Sequence, residues 1–515
     1  MKRLLSALFS AMLLLPSAAF AERVLVVGDS ITGHSMNLRF GYTHQVRKAL
    51  KEAGVNDVEF IPLGGSGQSV SSWRNVIRNS RDKNQKLDIA GIFVKEEFDK
   101  GSDTLIIFLG MNDALAPYTD FSTLPRWKAE YQKLIDDLKA RVRFQKLILA
   151  SPTMLTETPY SYKNRLMDEM AKLIRTLAKE NGAEYLDTRE TFQTYHEAMR
   201  KQNPKQNFML DYVHPNELGH NCLTLSFLKA IGRKNVTDHY LRKTMPGSMK
   251  VLKKPGMSLA LQNSSVPGEF TIRGSLSGGD FKALNARLPE GLKLRKIEGT
   301  PADFTLTIAG EVRQLRNTVT VTAGPVKQTL ALNAPFLIST GYDGGRWFKP
   351  AEFRKEKAET RIDLDAKAGN DVTQSIVQGK KTQWLVYYPS ADVTGGDDPN
   401  AVDFASVTNG RPFESGYLVR YIHAPEATKG VLSVGSKTFA GQEQVTVYLN
   451  GKEVYSDVVT AKKGKCDTVP VELKKGWNTL IARVCRVTWQ WAASVGIRNA
   501  DGSEISGLTY SITRK

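Results

Sequence analysis

The sequence predicts a three-layer α/β/α domain with a parallel sheet, followed by two all-β modules. Three observations carry this. Up to about Arg242, short apolar runs alternate with amphipathic helical patterns. After about Met245 helical periodicity ends, and Gly, Pro, Thr and Val dominate. The chain has 515 residues, too many for one hydrophobic core.

The apolar runs of the first part are Val24 to Val27, Val58 to Ile61, Thr104 to Leu109, Leu147 to Leu149 and Glu184 to Leu186. Near-continuous apolar strands of this length suit a parallel sheet buried on both faces. Between them, Leu166, Met170, Leu173, Ile174 and Leu177 fall on one helical face, with Lys and Arg opposite. A second helix is expected from Trp127 to Val142, and a closing one after Pro215, around Leu223 to Ile231. Alternating β and α elements imply a layered α/β domain, here spanning residues 22–242.

Residues 246–335 read as a small Ig-like β-sandwich. Its strands are expected at Phe270 to Ile272, Phe304 to Ile308, Val319 to Val321 and Leu330 to Leu332. Residues 336–515 read as a second all-β unit. Its clearest piece is Val445 to Leu449, then Asn450-Gly451, then Glu453 to Tyr455. Asn-Gly between alternating strands signals a hairpin, because both residues tolerate positive φ. Val469 to Leu473 and Leu480 to Val484 flank a Lys475-Gly476-Trp477-Asn478 turn. The strand-Asn-Gly-strand and Lys-Lys-Gly-Trp-Asn segments make this unit resemble the jelly-roll, carbohydrate-binding-like modules appended to secreted glycan-active enzymes.

Lys2 and Arg3, the apolar run Leu4 to Leu15 and the small-x-small triplet Ala19-Phe20-Ala21 form a secretory signal-peptide pattern over residues 1–21. The run is too short to remain as a membrane span, and no later apolar run reaches that length. A secreted or periplasmic location follows as the expectation. The formal net charge is +18, and +16 once Lys2 and Arg3 are removed. The basic residues are dispersed and no nucleic-acid motif is present, so nucleic acid is not expected as a partner. Cys222, Cys466 and Cys485 are too few for a disulfide scaffold. In an oxidising compartment Cys466 and Cys485 are candidates to pair, on strands expected to be neighbours; two buried thiols are the alternative. No metal-ligand spacing is found, and no cofactor is expected.

The chemistry sits where strands end. The first strand runs into Gly28-Asp29-Ser30-Ile31-Thr32, which puts a serine at the carboxyl edge of a parallel sheet, where α/β folds bind ligands. Gly64-Gly65-Ser66-Gly67-Gln68-Ser69 follows the second strand and Gly110-Met111-Asn112-Asp113 the third. Asp211-Tyr212-Val213-His214-Pro215 precedes the closing helix. These four ordered blocks resemble the SGNH hydrolase (GDSL-type esterase) family over about residues 22–242. The resemblance implies a serine esterase. Ser30 would be the nucleophile, His214 its base and Asp211 the carboxylate orienting the imidazole. The amides of Ser30 and Gly67 and the Asn112 side chain would form the oxyanion site. The family often carries Asn five residues before the second-block Gly. This chain has Pro62 there, which leaves Gly65 as the alternative to Gly67. His34, His44 and His220 lie near the blocks but at no family position, and read as structural or pocket-lining.

With secretion and the β modules, the expected activity is a carbohydrate O-esterase removing O-acetyl groups from a glycan, which the basic charge would favour if acidic. A lysophospholipase- or thioesterase-type lipid esterase uses the same blocks. The rival from another class is a glycan-binding surface protein with an inactive hydrolase domain.

Overall fold

A computed structural model of the chain describes residues 22–115, 118, 121–157, 161–203, 206–211, 213–245, 255–262, 264, 266, 268–343, 383–389, 398–404, 407, 414–435, 442–460, 466–486 and 491–513. The signal-peptide pattern and Tyr212 lie outside these residues.

Five strands, β1 (Glu22–Gly28), β2 (Val58–Gly64), β3 (Thr104–Phe108), β4 (Lys146–Ala150) and β5 (Glu184–Leu186), form a parallel sheet in the order β2-β1-β3-β4-β5. Val24 to Val27 and Leu105 to Ile107 are fully buried, as continuous apolar strands covered on both faces should be. Helices Tyr42–Glu52, Thr188–Arg200 and Glu217–Ile231 pack as one group. Helices Val70–Asn79, Leu124–Arg141 and Tyr162–Glu180 pack as another. The two groups are the outer layers of an α/β/α domain. The chain leaves β1 toward β2 and then crosses back to β3 on the far side of β1. Crossovers of one hand put the connecting helices on opposite faces, so a crevice opens between the carboxyl ends of β1 and β3. The first and third sequence blocks lie there.

The rest of the described chain is antiparallel. β6 (Gly256–Gln262), β7 (Glu269–Ser277), β10 (Asp303–Ala309) and β9 (Lys293–Thr300) form one sheet in that order. β12 (Val326–Ala331), β11 (Thr318–Ala323) and β8 (Leu284–Arg287) form a second. A seven-stranded sheet follows in the order β14 (Leu385–Tyr387), β13 (Phe336–Asp343), β16 (Glu414–Ala424), β21 (Gly476–Arg486), β18 (Gln442–Leu449) and β19 (Lys452–Thr460), with β23 (Thr509–Ser511) on β16. The last sheet runs β15 (Ala401–Asp403), β22 (Ala492–Arg498), β17 (Thr428–Gly435) and β20 (Cys466–Leu473). Asn450 and Gly451 take φ of 53° and 79° at the β18–β19 turn, as the hairpin signal requires.

Two packing facts were not visible in the sequence. The seven-stranded sheet is buried on both faces. Phe336, Ile338, Leu418 and Ile422 pack toward the sheet of β15, β17, β20 and β22. Leu337, Val419, Tyr421 and Ile481 join the core of the preceding sandwich, with Met257, Phe270 and Val319. The apolar core therefore runs across residue 336. Second, of the expected Lys475-to-Asn478 turn, Gly476 to Asn478 already lie in β21, and the chain passes at Lys474 and Lys475 between β20 and β21, which belong to different sheets. The expected Cys466–Cys485 pairing is corrected accordingly. Cys466 and Cys485 stand on strands of different sheets, and both thiols are free, as is Cys222.

Among the described residues no helix is long and apolar enough to cross a membrane.

Candidate active site

Gly28 ends β1, and Asp29 caps the short helix Ser30–His34 by accepting the Ile31 N–H at 2.9 Å. This turn is tight. A Cβ on Gly64, at the end of β2, would meet the Gly33 nitrogen at 2.2 Å, so only glycine lets the end of β2 approach the Ser30 helix. Ser30 thus stands at the first helical position, at the sheet's carboxyl edge. The indole of buried Trp73 supports it from below, donating to the Gly28 carbonyl at 2.8 Å.

Ser30 Oγ lies 3.0 Å from His214 Nε2. His214 Nδ1 lies 2.8 Å from Asp211 Oδ2, while Asp211 Oδ1 accepts the N–H groups of Val213 and His214 at 2.7 and 2.8 Å. One carboxylate therefore folds the turn and fixes the imidazole through Nδ1, leaving Nε2 for the serine. Burial alone would depress the His214 pKa. The Asp211 hydrogen bond and charge, helped by Asp29, outweigh it and hold the imidazole above its ordinary value. Burial pushes the Asp211 carboxyl up, but His214 and the two backbone donors bring it below the usual carboxylate range.

The second and third blocks are tied together. Asn112 Nδ2 donates to Gln68 O at 3.0 Å, and Asp113 accepts the Val70 N–H at 3.2 Å. Ser66 N–H is held by Asp88 Oδ1 at 2.9 Å. Gly67 takes φ of +63° with open space where a Cβ would be. Gly65 is buried, with Gln68, Asp88 and Leu87 against it. Behind the site, Asp29 and Asp113 are both buried, and desolvation raises each to about 7 against the hydrogen bonds they accept.

The structure thus brings Ser30, His214 and Asp211 into one hydrogen-bonded chain, with Asn112 bonded into the Gly67 loop beside them. His220 is buried, bonded to the Tyr42 N–H at 3.3 Å and stacked on Tyr42; it is structural. His44 is exposed on its helix. His34 touches the His214 ring. Two participants carried no sequence signal. Glu157 Oε1 accepts the N–H groups of Phe208 and Met209 at 2.8 and 2.6 Å, and its other oxygen meets His196 at 2.9 Å. It so anchors the segment leading to Asp211, from 51 residues away. Val213 packs against the catalytic-domain core and against the core of the last two sheets. Neither contact follows from local spacing.

The chain matches the GDSL-like lipase/acylhydrolase family over residues 26–222, the stretch that holds all four blocks. This domain is a GDSL-type serine ester hydrolase. It is 23% identical over 227 residues to an acetylxylan esterase of Geobacillus stearothermophilus, covering 41% of this chain and 94% of that protein. Among solved structures, the GDSL-type domain is similar to the acetyl xylan esterase AlAXEase, at 24% identity over 41% of this chain and 99% of that one, with a TM-score of 0.33. It is also similar to LAE5, an alpha/beta hydrolase from the metagenome of Lake Arreo, at 23% identity over 42% and 97%, with a TM-score of 0.31. No group of three or more His, Cys, Asp or Glu that could hold a metal ion occurs among the described residues.

Proposed function

We propose that this protein is an exported carbohydrate O-esterase that removes acetyl groups from a glycan through an acyl-enzyme on Ser30. The chain of contacts from Ser30 Oγ to His214 Nε2 and from His214 Nδ1 to Asp211 carries the reading. His214 takes the Ser30 proton as Oγ attacks the ester carbonyl, then delivers it to the departing sugar oxygen. Water, deprotonated by the same imidazole, then releases acetate. The developing oxyanion is met by the Ser30 and Gly67 N–H groups and by Asn112. Neither N–H has an intramolecular partner among the described residues. Asn112 Nδ2 has two hydrogens and commits one to Gln68 O. Gly67 is preferred to Gly65 as donor because it lies exposed, where Gly65 is packed under Asp88 and Leu87.

Support for a glycan comes from the acetylxylan esterase relative and from the antiparallel half packed on the catalytic loop. The signal-peptide pattern supports export. The test is acetate release across a panel of O-acetylated glycans, with Ser30→Ala as the blank. A p-nitrophenyl ester series is its complement. Activity should fall steeply from acetate to octanoate, because a buried acyl groove would instead add about 0.8 kcal/mol of binding per methylene. Higher kcat/KM on octanoate than on acetate would favour a lipid esterase.

A further inference from the structure

Ser30 and His34 open and close the same short helix. A separation of four residues puts both on one helical face. Ser30 is buried and His34 exposed. The His34 ring meets the His214 ring edge to face, with centroids 5.3 Å apart, while that same His214 ring is bonded to Ser30 Oγ through Nε2. His214, Asp211 and Asp88 are the charges that reach His34, and Asp88 anchors the Gly-rich loop through Ser66.

Acyl transfer to a serine sorts the two ends of an ester. The carbonyl oxygen turns to the oxyanion donors, and the leaving oxygen turns to the histidine that protonates it. Here the donors are at the start of the Ser30 helix, on the Gly67 loop and on the short helix that carries Asn112. His34 stands against His214, the residue that protonates the departing alcohol. Burial, then the His214 charge, holds the His34 pKa below the ordinary imidazole value, against the pull of Asp211 and Asp88. A neutral imidazole offers one donor and one acceptor nitrogen, which matches a hydroxyl, itself both donor and acceptor.

We propose that His34 is a specificity residue that hydrogen-bonds a hydroxyl of the departing sugar, so that the site favours acetates of polyhydroxylated alcohols. This rests on the glycan reading above. His34 takes no proton from Ser30; it binds the leaving group and positions its oxygen beside His214 Nε2.

The test compares a monoacetylated methyl xyloside with ethyl acetate, whose alcohol has no second hydroxyl. Both form the same acetyl-enzyme, so differences report the alcohol side. In His34→Ala the preference for the xyloside should fall about tenfold, mostly through KM, the scale of one lost hydrogen bond. His34→Gln keeps a donor and an acceptor and should recover part of it. A wild-type enzyme without preference for the xyloside would remove the glycan reading and this inference together. A wild-type preference that survives intact in His34→Ala would remove this inference alone. Equal losses on both esters, with a moved pH profile, would also overturn it, because His34 would then be acting through His214.

Discussion

In the antiparallel half, Arg420 is buried, and each of its three side-chain nitrogens donates to a chain acceptor. Its guanidinium donates to the carbonyls of Ala334, Pro335 and Pro399 and to Asn400 Oδ1, and lies 3.3 Å from the centroid of the Phe336 ring. Burial lowers its pKa to about 9. In the parallel half, Ser30 and Asn112 are only partly answered by their own chain, and they stand at a strand edge that faces a crevice. The difference separates a structural polar group from a chemical one. A buried cation whose every nitrogen meets a chain acceptor holds strands together. A polar group with bonding capacity left over, at the carboxyl edge of a parallel sheet, has it available for a ligand.

The largest effect expected from this contrast is at the nucleophile. Ser30→Ala and His214→Ala should each lower kcat for aryl acetate hydrolysis by about 10⁴–10⁶-fold without lowering Tm. Near wild-type turnover in purified Ser30→Ala would break the comparison. Asp211→Asn should cost less, about 10²–10⁴-fold, because orientation suffers while the base remains. Next comes Asn112→Ala, expected to lower kcat about 10²–10³-fold at little changed KM. A loss confined to KM would reassign Asn112 to substrate binding.

Arg420→Met should do the reverse. It removes the donors of several buried acceptors and should cost about 2–5 kcal/mol of stability in denaturant titration, with the aryl acetate kcat of the folded protein unchanged. A finer effect is on pH. His214 must be neutral to accept the Ser30 proton, and its pKa is raised above 6.5. The acid limb of kcat/KM should therefore lie above 6.5, with activity rising as pH rises through it. Asp211→Asn removes the main raising influence and should move the limb to lower pH; an unmoved limb would show that another group titrates there. The smallest effect is none at all: with Cys222, Cys466 and Cys485 all free thiols, a thiol reductant should leave Tm where it is.

The parallel sheet was legible because its strands are buried on both faces, and that burial writes itself into the chain as runs such as Val24 to Val27. The four blocks were legible because each is a short segment whose turn chemistry is local. Asp29 caps two residues on, and Asp211 reaches His214 across three. The Asn450-Gly451 turn was legible for the same reason. The reading went astray where neighbours in sequence are not neighbours in space. Lys475 to Asn478 reads as a turn, but Gly476 to Asn478 belong to β21 and the chain crosses between two sheets at Lys474 and Lys475. A boundary at residue 336 looked like the edge of a module, but Leu337 and Phe336, adjacent in the chain, point into two different cores.

By itself, then, the sequence determined the fold class of residues 22–242, the order of the strands along the chain and which serine, histidine and aspartate to watch. Period, turn residues and strand-end position are local properties, and a linear chain records them. Only the tertiary structure decided that Glu157 anchors the segment before Asp211, that Val213 is shared between the catalytic domain and the antiparallel half, and that His34 lies against His214. Those contacts join segments tens to hundreds of residues apart. Their energy comes from burial and from hydrogen bonds whose partners are chosen by sheet order and packing, and no spacing within one segment encodes that choice.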